Sequence, residues 1–188
     1  MLLQEKVALI TGVGRGIGKA IALAFAAEGA DLILCARTAS QVQAVGDEVR
    51  RRGRRCLAGV ADVSSAEDVE RLVAEALREF GRINIASGVG QRGLPGNAAY
   101  SAAKAAVIAL SHALAGEVGT QGVRVIVISP GPIKTEMLAA SPLQGFLLKG
   151  NVRMLPPEDV AGAALFLALD LSGGMSSQVL TIRNSNRW

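Results

Sequence analysis

The stretch KVALITGVGRGIG, Lys6–Gly18, runs from an apolar segment into a glycine-rich turn, and how it is read decides how the rest of the chain is read. Lys6 to Thr11 is a short apolar run of the kind that a parallel sheet buries on both faces. Beyond the glycines, Ile17, Ala20, Ile21, Ala24 and Phe25 recur at helical spacing and stop at Gly29, and a second apolar run comes next at Ala30–Ala36. Strand, helix and parallel strand make a βαβ unit. The glycines between strand and helix allow a tight turn and a close backbone approach to a pyrophosphate, whose charge the free N–H groups of a helix start attract. The spacing is not the generic G-x-G-x-x-G, because Ile17 stands where its last glycine would fall; Gly12, Gly16 and Gly18 spell G-x-x-x-G-x-G. A mere tight turn is the competing reading, and the strand before with the helix after weighs against it.

The alternation continues. A helix around Val42, Val45 and Val49 is stopped by Gly53, a strand lies near Cys56 to Val60, and a helix over Val69, Leu72, Val73, Ala76, Leu77 and Phe80 is stopped by Gly81. Ser65, with Asp68 three residues on, is a start signal for that helix. A strand at RINIAS, an Ala-rich helix from about Ala98 to Val118 and a strand at VRVIVIS come after it. A helix over Val160, Ala163, Ala164 and Leu167, opened by Pro156, Pro157, Glu158 and Asp159, precedes the last strand, QVLTI. The expected fold class is α/β: a Rossmann-like, doubly wound parallel sheet of six strands in a single domain over residues 1–188. Ligands belong at the carboxyl ends of its strands.

At 188 residues, half of them hydrophobic, the chain suits one domain with a substantial core. Its net charge of +4 accommodates a bound anion. Arg50, Arg51, Arg52, Arg54 and Arg55 straddle one helix end, where solvated cations complement the dipole. Aromatic residues make up only 3% of the chain, which leaves few platforms for stacking bases and argues against nucleic acid as a partner. Cys35 and Cys56 lie in apolar runs without metal-type spacing, so no metal is expected; buried, reduced thiols fit a cytoplasmic protein. The N-terminus lacks a leader pattern and no run approaches a membrane span, which leaves no membrane partner to expect.

Tyr100 and Lys104, four apart on a helix, share one face. An ammonium beside a phenol favours its ionised form, which suits a proton donor in carbonyl reduction or an acceptor in alcohol oxidation; a surface pair is the competing reading. At the end of the second strand an Asp or Glu would bond ribose hydroxyls and repel a 2′-phosphate, whereas an Arg would pair with it. Here the strand ends Cys35, Ala36, Arg37, no acid lies between Leu32 and Gln43, and Arg15 is a second cation in the glycine loop. NADP(H) is therefore expected over NAD(H), with solvated loop arginines as the alternative.

The G-x-x-x-G-x-G loop, Y-S-A-A-K at Tyr100–Lys104, Ser87 thirteen residues before Tyr100, and PGPIKT at Pro130–Thr135 together resemble the short-chain dehydrogenase/reductase family. The resemblance implies an NADP(H)-dependent oxidoreductase moving a hydride between nicotinamide and a carbonyl or secondary alcohol. By it, Ser87 bonds the substrate oxygen, Tyr100 exchanges the proton, and Lys104 holds the nicotinamide ribose and tunes Tyr100. The implied cofactor contacts are Gly12, Arg15, Gly16, Ile17, Gly18 and Arg37, then Asp62 at the adenine, Tyr100 and Lys104, and Pro130, Gly131, Ile133 and Thr135 along the nicotinamide. Asp62 also reads as a loop or capping residue. Met137 to Leu148 falls at the family's substrate lid; its apolar residues fit either an apolar substrate or a lid packing on its own domain. His112 reads as a solvent or interface residue.

The resemblance runs from Lys6 to about Ile182 with one interruption. Between about residues 83 and 84 the chain passes from GRI straight into NIAS, where the family has a fourth strand with an Asn-Asn-Ala-Gly turn and a helix with a catalytic asparagine. That is a loss on the order of 30 residues or more. Either RINIAS keeps the fifth strand's place and leaves a slot in the sheet, or it slides beside the first strand. A catalytically impaired NADP(H)-binding domain, or a deletion product, is the alternative function. The missing helix belongs to the family's usual subunit interface, so a homo-oligomer is expected with the family tetramer in doubt. IRNSNRW replaces the family's usual Asp-Gly-Gly type ending.

Overall fold

The computed structural model describes residues 1–80, 84–85, 87–88, 98–141 and 153–183, the four residues at 84–85 and 87–88 by their backbone alone. The chain divides into two compact units, Met1–Ala86 and Ser87–Trp188.

The first unit is built from β1 (Val7–Thr11), α1 (Gly16–Ala27), β2 (Asp31–Ala36), α2 (Ala39–Arg51), β3 (Cys56–Val60), α3 (Ala66–Phe80) and β4 (Asn84–Ile85). The strands form a parallel sheet in the order β3-β2-β1-β4, with Val7 opposite Asp31 and Leu32 opposite Cys56. β2 is buried at every position and β1 at four of five, which is why both read as unbroken apolar runs. α2 turns Val42, Val45, Gly46 and Val49 inward and leaves its polar residues outside. The Ser65 hydroxyl accepts the Asp68 N–H at 3.3 Å, as the sequence predicts. The reciprocal half of that box differs, for the Asp68 carboxylate accepts instead from the Asp62 N–H at 2.9 Å.

Two features of this unit were not legible as motifs. Residues 1–5 strap the end of α1, with Leu3 1% exposed and its N–H donating to the Glu28 carbonyl at 2.8 Å. Asp31, at the head of β2, is buried and accepts from Arg54 Nη2 at 2.7 Å, Arg55 Nε at 2.7 Å and the Arg55 N–H at 3.1 Å. Arg50 bonds Asp47 and the Cys56 carbonyl, and Arg52 bonds Glu48, so four of the five clustered arginines have intramolecular partners. Arg55 also lies over the Phe80 ring, 4.7 Å from its centroid.

The second unit contains β5 (Ser87–Gly88), α4 (Ala98–Val118), β6 (Ile126–Pro130), a single-turn α5 (Glu136–Ala139), α6 (Pro157–Ala168) and β7 (Gln178–Ile182). Its parallel sheet has the order β5-β6-β7. α6 starts on Pro157 with Glu158 and Asp159 in its first turn, where a fixed φ and negative charge suit a helix start. The Arg124 guanidinium, just before β6, gathers the end of α6 and the turn beyond it: Nη2 donates to the Leu167 carbonyl at 2.9 Å, and Nη1 donates to the Ser172 carbonyl at 3.0 Å and the Met175 carbonyl at 3.4 Å.

Where the sequence predicts one strand at RINIAS within a sheet of six, the described strands number seven in sheets of four and three. Asn84–Ile85 pairs with Ala8 and Leu9 of β1, whereas Ser87–Gly88 pairs with Val127 and Ile128 of β6. The run is thus shared: Asn84 and Ile85 go to β1, and Ser87, with Gly88 just beyond the run, goes to β6. The expectation of no run near membrane-span length is also corrected: among the described residues Ala98–Gln121 is long and apolar enough by length and composition, with a mean hydropathy of 1.2. Alanines and single apolar residues spread around the helix, rather than one continuous apolar block, carry that value.

Candidate functional site

At the carboxyl end of β1, the chain enters the glycine loop. Gly12 at φ +70° and Gly16 at φ +58° occupy the left-handed region, and a Cβ at Gly18 would run into the Gly12 carbonyl. Val13 is fully buried and its N–H donates to the Cys35 carbonyl at 3.2 Å, which pins the loop to the end of β2. α1 therefore starts tightly against the loop. Its N-cap, Arg15, offers no side-chain acceptor, and no acid stands in the first turn, so its amino end keeps its partial positive charge. This donor set, with Gly18 letting α1 start against the Gly12 carbonyl, fits the pyrophosphate of a dinucleotide.

Arg37 follows β2 and is exposed. Asp62, beyond β3, accepts the Ser64 N–H at 3.0 Å and its hydroxyl at 2.8 Å. Those bonds from Ser64, first the main-chain one, hold the Asp62 carboxyl below the ordinary range, and attraction from Arg37 adds to them. Asp62 thus closes its own loop. The two groups stand at the same carboxyl edge of the sheet as the glycine loop, where an open α/β sheet takes its ligands.

In the second unit, the backbone of Ser87 lies in β5 opposite Val127. Tyr100 and Lys104 stand one turn apart on α4; Tyr100 is 59% exposed, and the Lys104 ammonium lies over its ring, 5.5 Å from the centroid. The sequence places this cation beside the phenol, and the structure seats it on the ring face. Pro130 ends β6, and the Gly131 N–H donates to the Ile182 carbonyl at 2.8 Å. A Cβ on Gly131 would come within 3.0 Å of the Arg183 Cβ. Ile133 is buried and bridges Leu155, whose N–H donates to the Pro132 carbonyl at 3.0 Å. The Thr135 hydroxyl accepts the Leu138 N–H at 3.3 Å and so caps α5, a role that sequence reasoning missed although Thr before a helix carries that signal.

The sequence-derived residues thus separate into two sets. Gly12, Arg15, Gly16, Ile17, Gly18, Arg37 and Asp62 lie in the first unit; Ser87, Tyr100, Lys104, Pro130, Gly131, Ile133 and Thr135 lie in the second. The junction from GRI to NIAS falls partly, and the lid beyond Ser141 and the ending after Arg183 fall wholly, outside the described residues.

Residues 6–85 match the family model described as short chain dehydrogenase, and residues 83–183 match the one described as Enoyl-(Acyl carrier protein) reductase. The chain is 31% identical to (2S)-[(R)-hydroxy(phenyl)methyl]succinyl-CoA dehydrogenase subunit BbsD of Thauera aromatica, over 97% of this chain and 96% of that one. It is 32% identical to a 3-oxoacyl-[acyl-carrier-protein] reductase of Synechocystis, over 89% and 91%. The alignment with the Thauera protein runs 239 positions against 188 residues here, so that relative carries residues without a counterpart in this chain. Among solved structures, a short-chain type dehydrogenase/reductase from Mycobacterium marinum superposes with a TM-score of 0.85 at 26% identity, covering 96% of this chain and 95% of that one. A 7α-hydroxysteroid dehydrogenase complexed with NADH and 7-oxo glycochenodeoxycholic acid gives 0.89 at 25% identity, covering 97% and 94%. With strand, glycine loop, helix-borne Tyr and Lys, and P-G segment in order along a chain so matched, this protein belongs to the short-chain dehydrogenase/reductase family.

Proposed function

We propose that this protein is an NADP(H)-dependent oxidoreductase acting on a carbonyl or secondary alcohol, working as one dinucleotide-binding domain over residues 1–188 in the cytoplasm, with a small-molecule substrate. The observation that carries the reading is the helix pair, Tyr100 and Lys104 with the ammonium 5.5 Å from the ring centroid, in a chain whose relatives are oxidoreductases. When bound, the nicotinamide supplies or accepts the hydride. The chain's own residues do the rest. The main chain at Gly12–Gly18 and the start of α1 would hold the pyrophosphate, Asp62 would contact the adenine, Lys104 would bond the ribose, and Ile133 and Thr135 would contact the nicotinamide. Ser87 orients the substrate oxygen, and Tyr100 donates a proton to it in reduction or removes one in oxidation.

NADP(H) is preferred on charge. β2 ends without a carboxylate, and Arg37 and Arg15 offer guanidinium groups for a 2′-phosphate. Titration with NADPH and NADH, followed by nicotinamide fluorescence and thermal stability, tests this. NADPH is expected to bind more tightly and raise the melting temperature, and Arg37→Glu to reverse the preference. Equal affinity for both, or tighter NADH, would refute it. Tyr100→Phe is expected to keep cofactor binding and lose ketone reduction.

A second reading, an NADP(H)-binding domain without turnover, is supported by the two-residue ladders at β4 and β5 and by the excess length of the relatives' alignment. Loss of the family's fourth strand and asparagine between about residues 83 and 84 accounts for both. Cofactor binding without reduction of any of a range of ketones would select it.

A further inference from the structure

α4 carries Tyr100 and Lys104 in its first half, yet only Ala115 of its 21 residues is buried. So sparse a burial leaves the helix little apolar packing to hold it in place. In its second half, however, His112 Nδ1 lies 3.0 Å from Ser177 Oγ. Ser177 immediately precedes β7, and its N–H donates to the Val125 carbonyl at 2.8 Å, beside a bond from the Val125 N–H to the Ser176 hydroxyl at 3.3 Å. The serine is thus locked to the strand frame before its side chain reaches the helix. It also sits at φ +55°, a left-handed conformation that favours glycine. A residue that strains its backbone while presenting a hydroxyl to the single histidine of the chain points to a function for that hydroxyl.

We propose that His112 is a positioning residue, tying α4 through Ser177 to the β6–β7 frame and so fixing where Tyr100 and Lys104 stand. This rests on the proposed reading of Tyr100 and Lys104 as the reacting pair. His112 comes eight residues after Lys104, about 12 Å along a helix at 1.5 Å per residue, so a slip at the anchor is carried to the pair by a rigid rod. A serine hydroxyl both donates and accepts, so it bonds either charge state of an imidazole nitrogen.

The test compares amide hydrogen exchange across Ala98–Val118 with NADPH-dependent ketone reduction in the wild type, His112→Phe, His112→Asn and Ser177→Gly. Phe keeps a ring without the bond, Asn puts an amide where Nδ1 stood, and Gly removes the hydroxyl while relieving the backbone. Exchange is expected to quicken several-fold in His112→Phe and Ser177→Gly and to return towards wild type in His112→Asn. In His112→Phe and Ser177→Gly kcat should fall about tenfold and in His112→Asn return towards wild type, since a misplacement of ~1 Å costs up to about a hundredfold. Unchanged exchange in His112→Phe, or no recovery in His112→Asn, overturns the tether. A wild type that reduces no ketone overturns the enzymatic reading instead, while the exchange results still support or overturn the tether.

Discussion

Replacing Asp31 by Asn removes one charge and leaves the shape, which makes it a clean test of how the arginine cluster is held. The carboxylate takes three hydrogen bonds, two from guanidinium groups at 2.7 Å and one from a main-chain N–H at 3.1 Å. Breaking a fully buried ion pair from one side costs about 3–5 kcal/mol. Here the pairs are unequal: the Arg55 side chain is 60% exposed and its pair belongs to the surface class, worth ~0–1 kcal/mol, whereas Arg54 is 24% exposed and its buried Nε has no hydrogen-bond partner among the described residues. An Asn retains some bonds but turns an N–H towards one guanidinium. The expected loss is about 2–3 kcal/mol, which at about 2–4 °C per kcal/mol for a chain of this size lowers the melting temperature by about 5–10 °C. Far-UV circular dichroism at pH 7 reads it, with Asp47→Asn, which breaks an exposed pair with Arg50, as a control expected to move Tm by about 1–2 °C at most.

The pH dependence supplies a second arm. Burial pushes the Asp31 carboxyl up, but hydrogen bonds from Arg55 and the charges of Arg54 and Arg55 outweigh it and hold it below its ordinary value. A carboxyl depressed in the folded state stabilises above its unfolded pKa of about 3.9 and loses that contribution as pH falls through the folded value. The gap between wild type and Asp31→Asn should therefore be widest near neutrality and close below about pH 4. A variant that melts with the wild type at pH 7, or a gap that persists in acid, would refute the reasoning.

Other positions give equally direct tests. Gly18→Ala drives a Cβ into the Gly12 carbonyl; overpacking of about 1–3 kcal/mol exceeds the ~1 kcal/mol that Ala gains in a helix, so Tm should fall and NADPH affinity drop at least about tenfold, both read by thermal shift. Leu3→Ala, at a site 1% exposed, should cost about 2–4 kcal/mol in urea denaturation, whereas Leu2→Ala, at 58%, should be nearly neutral. Cys56, buried and with its thiol pushed up to about 11, should resist Ellman's reagent at pH 8 until the protein is unfolded, at which point it and Cys35 react together.

Much of the first unit could be read along the chain because its signals are local. Val42, Val45 and Val49 keep helical spacing, Gly53 at φ +75° follows the end of α2, and Ser65 caps α3. The features that escaped reading depend on residues far apart in sequence. Nothing near Asp31 announces that Arg54 and Arg55 will close on it, and five clustered arginines look like a solvated face until their partners are placed. Thr135 and Asp62 were read by resemblance as cofactor contacts, while their side chains also serve the short-range capping and turn bonds that their residue types favour. RINIAS alternates Ile83 and Ile85 with other residues, which reads as a strand, but pairing partners decide its fate: β1 takes Asn84 and Ile85 while β6 takes Ser87 and the Gly88 that follows.

The Arg124 clamp imposes an order of events during synthesis. Its acceptors at Leu167, Ser172 and Met175 lie 43, 48 and 51 residues later in the chain. At a translation rate of about 5–20 residues per second, the guanidinium waits roughly 2–10 s for its last partner to be made. Contacts of such long sequence separation also form slowly, because the intervening loop must close first. β6 is therefore made while the guanidinium at its head is still bonded to water, and only the arrival of α6 and the turn after it exchanges those waters for the three carbonyls.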